Sequence, residues 1–186
     1  MNKISLLLIS LLLAITACSS MSVSEKETKR NELDEMAAKA ITGLIEKDDS
    51  LQQKLDQSLG YAVANMKVTK VPIVGAGGGE GVFVNKETQQ RTYFTVSRFD
   101  IGGGWGVRSY KILLLMDSPD VVERIQGGVW EFQAGAEASA GTAAAEGSSG
   151  GLNEGYSVHV LSDGGASATV TARVIRIKVN SELTGK

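Results

Sequence analysis

The stretch "VGAGGGEGVFV", residues 74–84, decides how this chain is read. Gly75, Gly77, Gly79 and Gly81 take every second position, and "IGGGWGV" at 101–107 repeats the pattern with Gly102, Gly104 and Gly106. A period of two is that of a β-strand. Glycine inside a strand adds backbone entropy to be lost on folding and packs nothing, so two such rows need a physical reason. They permit sharp coiling and bulges, as in a small closed barrel. They let another element approach the backbone closely. Or they line a groove for an acyl chain or a peptide. Curvature with close packing is the plainest reading, and Val74, Ala76, Val82, Ile101, Trp105 and Val107 on the opposite faces then make an ordinary core. A dinucleotide cradle is excluded by spacing. G-x-G-x-x-G puts Glu80 at its last place when started from Gly75 and Val107 when started from Gly102, and no helix follows directly.

Outward from the glycines, the period-two pattern continues. "YAVANMKVTKV" precedes them, with Pro72 marking an edge or bend. The polar turn "NKETQQ" at 85–90 predicts a hairpin of 73–84 with 91–101. "DSPDVVERIQGG" at 117–128 predicts a short helix, capped at Asp117 or Ser118 and ended by Gly127 and Gly128. "VWEFQAGAEASAGTAAAEG" alternates as a strand. "YSVHVLSDGGASATVTARVIRIKVN" reads as a strand, an Asp163-Gly164-Gly165 turn and a long strand.

Before the sheet the period is helical. Leu33, Met36, Ala37, Ala40, Ile41, Leu44 and Ile45 predict an amphipathic helix over 31–47. "DDS" at 48–50 offers caps for a second helix that Gly60 stops. Glu25 to Asp56 holds six basic and nine acidic residues. Such a helix suits packing on the sheet better than lying on an anionic membrane. The fold class is therefore α+β: N-terminal amphipathic helices on a strongly curved or barrel-like, largely antiparallel Gly/Ala-rich sheet with one interrupting helix.

The first residues stand apart. "MNKISLLLISLLLAITAC" has a charged start and an apolar run, Ile4 to Ile15, of signal-peptide length and too short to span a membrane. Ile15-Thr16-Ala17-Cys18 resembles a bacterial lipobox, which implies cleavage before Cys18 and acylation of that residue with palmitate-class chains. The alternative is an ordinary secretory signal with an incidental cysteine. Cys18 is the only cysteine of the 186 residues, so the fold has no disulfide and rests on its core. Ser19, rather than aspartate, favours the outer membrane and the periplasmic face. The organisation expected is a signal peptide at 1–17, an acylated tether at 18–30 and a domain at 31–186, helical to 59 and sheet from 60. Without Lys3 the chain has 18 basic and 21 acidic residues, a balance that offers no clustered positive field for nucleic acid.

"LGYAVANMKVTK", the two glycine rows, "SYKILLLMDSPDVVERIQGGVWEFQAGAEASAG" and "GYSVHVL" together resemble the SYLF domain, from about Ser58 to Leu183. The resemblance implies a general lipid affinity. It departs from the family at Ala64-Asn65, where Phe-Pro is frequent, and at Gln133, where glycine is common. The acidic helical lead also departs from the basic one of phosphoinositide-binding members.

Catalytic chemistry is sparse. His159 is the only histidine, and with Cys18 acylated no Cys/His dyad, Ser-His-Asp triad or histidine-rich metal site is expected. Glu80, Glu131 and Glu137 are carboxylates that could meet in space. The chain is expected to be no enzyme and to take no cofactor, metal or nucleotide. If anionic lipid is bound, the candidate cations are Lys67, Lys70, Arg98, Arg108, Lys111, Arg176 and Lys178, with Arg173 on the opposite face of the last strand. Their plainer role is as solvated edge-strand charges. The expectation is a membrane-anchored periplasmic lipoprotein with a phospholipid-binding domain; the alternative is a structural or protein-interaction module holding an envelope partner. A pocket would favour lipid binding or catalysis, and a flat apolar patch would favour a protein partner.

Overall fold

The computed structural model describes residues 20–134, 137–140, 143–146 and 155–185, with side chains described outside 129–146 and 164–173. The lipobox and Cys18 lie outside the described residues. The chain starts with helix α1 (Val23–Ile45) and short helix α2 (Ser50–Gln57). Strands β1 (Gly60–Lys70), β2 (Val74–Asn85) and β3 (Arg91–Met116) follow, then helix α3 (Pro119–Gln126). Strands β4 (Val129–Ala134), β5 (Glu137–Ala140), β6 (Ala143–Glu146) and β7 (Tyr156–Val179) and a closing turn of helix, α4 (Ser181–Thr184), complete it. All strand pairs are antiparallel, in the order β1-β2-β3-β7-β5-β6, with β4 also on β7 and β1 also on β3. The fold is α+β, a strongly curled sheet forming a half-barrel.

β3 makes the curl. Its first half pairs with β2, from Val74↔Ile101 to Val84↔Arg91, as the hairpin pattern predicts. Its second half pairs with β1, from Gly60↔Met116 to Lys70↔Gly106. Where the two halves join stand Gly102, Gly104 and Gly106, all at positive φ (136°, 143° and 148°). Residues with a side chain rarely adopt such φ values, so the bend is placed on glycines.

The first glycine row has a different reason. A β-carbon at Gly77 would stand 2.6 Å from Val68 Cγ2, and one at Gly81 2.6 Å from Phe94 Cζ while also overlapping the Val63 carbonyl oxygen. The trough this row leaves is filled by the chain's own side chains, Lys70, Val68, Met66 and Phe94. Of the three reasons, curvature and close packing account for both rows.

Two cores result. Inside the curl, Met66, Phe83, Phe94, Tyr110, Leu114, Met116, Ile175 and Ile177 pack with Val121, Val122 and Ile125 of α3. Outside it, Leu33, Ala37, Ala40 and Leu44 of α1 cover Val63, Val82, Val84, Tyr93, Leu113 and Leu115. Among the described residues every buried apolar one lies between Leu33 and Leu183, so residues 21–186 carry the whole described core.

Several expectations are corrected. α1 begins at Val23, inside the expected tether. Ser22 closes a capping box with Glu25: the Glu25 amide donates to Ser22 Oγ at 3.3 Å and the Ser22 amide to Glu25 Oε2 at 2.7 Å. α2 ends at Gln57 with Ser58 as its cap, and Gly60 already belongs to β1. Asp163-Gly164-Gly165 is no hairpin turn. β7 runs through it, and Asp163 is the extra residue of a bulge, since Ser109 pairs with Gly164 and Tyr110 with Ser162. The Ala-rich segment is three short strands rather than one, and the turn of helix at Ser181–Thr184 was not expected.

Candidate functional site

Along the outer face, α1 covers one end of the sheet and leaves the other bare. The bare end is the pole where the β1–β2 turn meets the β3 bend. The Val71 amide donates to the Val74 carbonyl and the Gly102 amide to the Ile73 carbonyl, each at 2.9 Å, so turn and bend are stitched together. The side chains projecting here are apolar: Ile73 (70% exposed), Val74, Phe99, Ile101 (56%), Trp105 (74%) and Val107. This overturns the expectation that these outward faces form an ordinary core; of that group only Val82 is buried. Isolated exposed apolar residues are common, but a contiguous group with tryptophan at its crest marks an interaction surface.

The interior beneath the pole is polar. Lys70, Arg98, Asp100 and Arg108 are all buried. Arg98 reaches Asp100 from Nε at 3.0 Å and from Nη2 at 2.8 Å, and donates from Nη1 to the Tyr110 hydroxyl at 2.6 Å. The Arg108 guanidinium lies 4.2 Å from the centre of the Tyr110 ring. The usual polarity of a sheet is inverted here, with charge inside and apolar groups outside. The plain reading of Lys70, Arg98 and Arg108 as solvated edge charges is thereby corrected.

The remaining candidate cations stay outside. Arg176 and Lys178 are exposed on the outer face of β7, paired in register with Ser97 and Thr95, directly behind Val174 and Phe99. Lys67 is exposed on β1, one outward position behind Thr69, whose register partner is Val107. These three form a basic collar behind the apolar pole. Lys111 is paired with Asp163 at 2.5 Å. The side chain of Arg173 lies outside the described ones.

Where α1 crosses the sheet there is also a groove of about 490 Å³. Leu33, Met36 and Met66 line it, and Lys29 bridges across its wall to Glu80 at 2.6 Å. Glu80 is thus engaged by α1, while Glu131 pairs in register with Arg176 and Glu137 with Thr169, well apart along β7. Backbone register does not bring the three carboxylates together.

One contact went unnoticed in the sequence. Ser157 Oγ lies 3.1 Å from His159 Nε2. Burial holds the imidazole below its ordinary value, and Lys54 pushes the same way against Asp48. A neutral imidazole beside a hydroxyl is part of a nucleophile arrangement, and the i, i+2 spacing on a strand is the signal that could have found it. The nearby Asp48 carboxylate, however, accepts from the Ser50 amide and hydroxyl at 3.0 and 2.6 Å, and the groove does not include the pair. Among the described residues no group of His, Cys, Asp and Glu is placed to hold a metal ion, and no helix is long and apolar enough to cross a membrane. No protein-family model matches this chain, and no curated protein matches its sequence.

Proposed function

We propose that this chain is a lipid-anchored envelope protein, held at the periplasmic face of the outer membrane, whose domain binds phospholipid bilayers without catalysing a reaction. The observation that carries this reading is the apolar pole over a charged interior. A surface of that polarity matches a bilayer, and the collar of Lys67, Arg176 and Lys178 sits where anionic headgroups would meet it. The resemblance to SYLF domains points the same way.

Magnitudes fit a surface that needs an anchor. Full burial of a large apolar side chain is worth about 1.5–3 kcal/mol, so half a dozen half-exposed ones contribute roughly 5 kcal/mol before the costs of docking. That affinity is marginal alone, like that of a single acyl chain. Acylation at Cys18 would remove the limitation by raising the effective concentration of membrane. Three residues lie between Cys18 and the cap at Ser22, and the four chain steps make a leash of at most about 14 Å. The domain therefore works against the membrane that anchors it.

The pole equally suits an apolar protein surface, which is the second reading. Flotation of residues 21–186 with vesicles of bacterial phospholipid separates the two. Binding weakened by salt and abolished by Trp105→Ala is the expected outcome. A domain that stays at the bottom of the gradient with every vesicle composition, yet associates with an envelope protein through Trp105, establishes the second reading.

A further inference from the structure

The ammonium group of Lys70 is the strongest unexplained feature of the molecule. The residue is 4% exposed, and its Nζ has no hydrogen-bond partner among the described residues. A buried unpaired charge costs several kcal/mol, and proteins rarely leave one unanswered. The one carboxylate described near it, on Asp100, is held by Arg98 at two atoms. The register neighbours of Lys70 are Gly75 on β2 and Gly106 on β3, neither of which has a side chain to offer. Beside this ammonium the inner face carries two further cations, Arg98 and Arg108, and the Tyr110 hydroxyl.

We infer that the interior beneath the pole is a site for an oxyanion of the phosphate class, with Lys70 as the group that the anion neutralises. The described inner face sets three cations, Lys70, Arg98 and Arg108, against one carboxylate, Asp100, and that excess of positive charge around Lys70 suits an anion with several acceptor oxygens. Lys70 is the last residue of β1, and the next residue, Val71, is exposed in the turn. The same chemistry is offered by a phospholipid headgroup at the docked pole and by a free phosphate. Only the headgroup source rests on the membrane-docking reading.

The test uses residues 21–186 and two probes, inorganic phosphate and a short-chain anionic phospholipid below its micelle concentration, each against chloride at equal ionic strength. Expected is a probe-dependent rise of several degrees in the unfolding midpoint of the wild type, absent in Lys70→Met and retained in Lys70→Arg. Lys70→Met keeps its vesicle flotation, whereas Trp105→Ala loses flotation and keeps the phosphate response, so failure of this site and failure of membrane docking are told apart. A response to both probes or to the lipid alone assigns a headgroup; a response to phosphate alone assigns a soluble anion. The Lys70 ζ-nitrogen resonance of the wild type, followed during titration with each probe, gives the answer even if Lys70→Met fails to fold. Neither probe moving that resonance, or equal midpoint shifts in wild type and Lys70→Met, overturns the inference.

Discussion

The two ends of the sheet carry the same alternation and opposite polarity. Under α1 the outward residues Val63, Val82, Leu113 and Leu115 are buried, and the inward ones, Phe83, Phe94, Leu114 and Met116, are buried as well. At the pole the outward residues Phe99, Ile101, Trp105 and Val107 meet solvent, while Arg98, Asp100 and Arg108 are enclosed. The difference lies in what covers each face. One helix stops short of the pole, and the curl brings the charged inner faces of β1 and β3 together. Alternation tells which residues share a face; only the neighbours decide whether that face is core or surface.

The sharpest way to break the comparison is by truncation. Leu113→Ala under α1 should cost about 2–5 kcal/mol, because it removes packing and leaves a cavity. Trp105→Ala at the pole should change stability by about 0.5 kcal/mol or less. Urea unfolding of both variants checks this, and a Trp105→Ala loss as large as that of Leu113→Ala would mean that the pole is packed.

The glycine rows allow a second, smaller test. Gly81→Ala drives a methyl group into the Val63 carbonyl and the Phe94 ring, and an expected loss of about 1–3 kcal/mol follows from overpacking. Gly103→Ala, between the positive-φ glycines, meets nothing within 4 Å and should be neutral. Equal effects on the thermal midpoint would show that the first row is not held by close approach.

The mildest effect concerns the covered end alone. The folded state holds the His159 imidazole below its unfolded value of 6.5. The unfolded chain therefore binds the proton more readily. The contribution to stability is complete above that value and is lost as pH falls below it. As the only histidine, His159 is the side chain whose ordinary range falls between about pH 5 and 6.5. The midpoint should decline through that window in the wild type and stay flat in His159→Gln. The same decline in both proteins would place its source elsewhere.

Much of the fold was legible because it is written locally. The stripe from Leu33 to Leu44, the turn at 85–90, Pro119 at the start of the 119–126 helix and the period-two runs each act through neighbours a few residues away; Ser118 stands at the cap of that helix without a side-chain hydrogen bond to it. The start of α1 was missed because residues 24–30 are polar all round and Val23 is exposed; the Ser22–Glu25 box was the signal present there. Asp163-Gly164-Gly165 was misread because the same three residues serve a hairpin turn or a bulge, and pairing with β3 decides between them. Of the candidate cations, the sequence supplied the residues and their parity. It could not divide Lys67, Arg176 and Lys178 outside from Lys70, Arg98 and Arg108 within.

By itself the sequence determined the α+β class, the strand periods and the demand for glycine on alternate positions, since these follow from backbone sterics and local hydrogen bonding. The tertiary structure alone decided that one glycine row yields room and the other yields a bend, that the pole turns its apolar residues outward, and that Lys70 ends enclosed without a partner. Those outcomes depend on which strand lies beside which and on where α1 ends, and such long-range contacts leave no period in the chain.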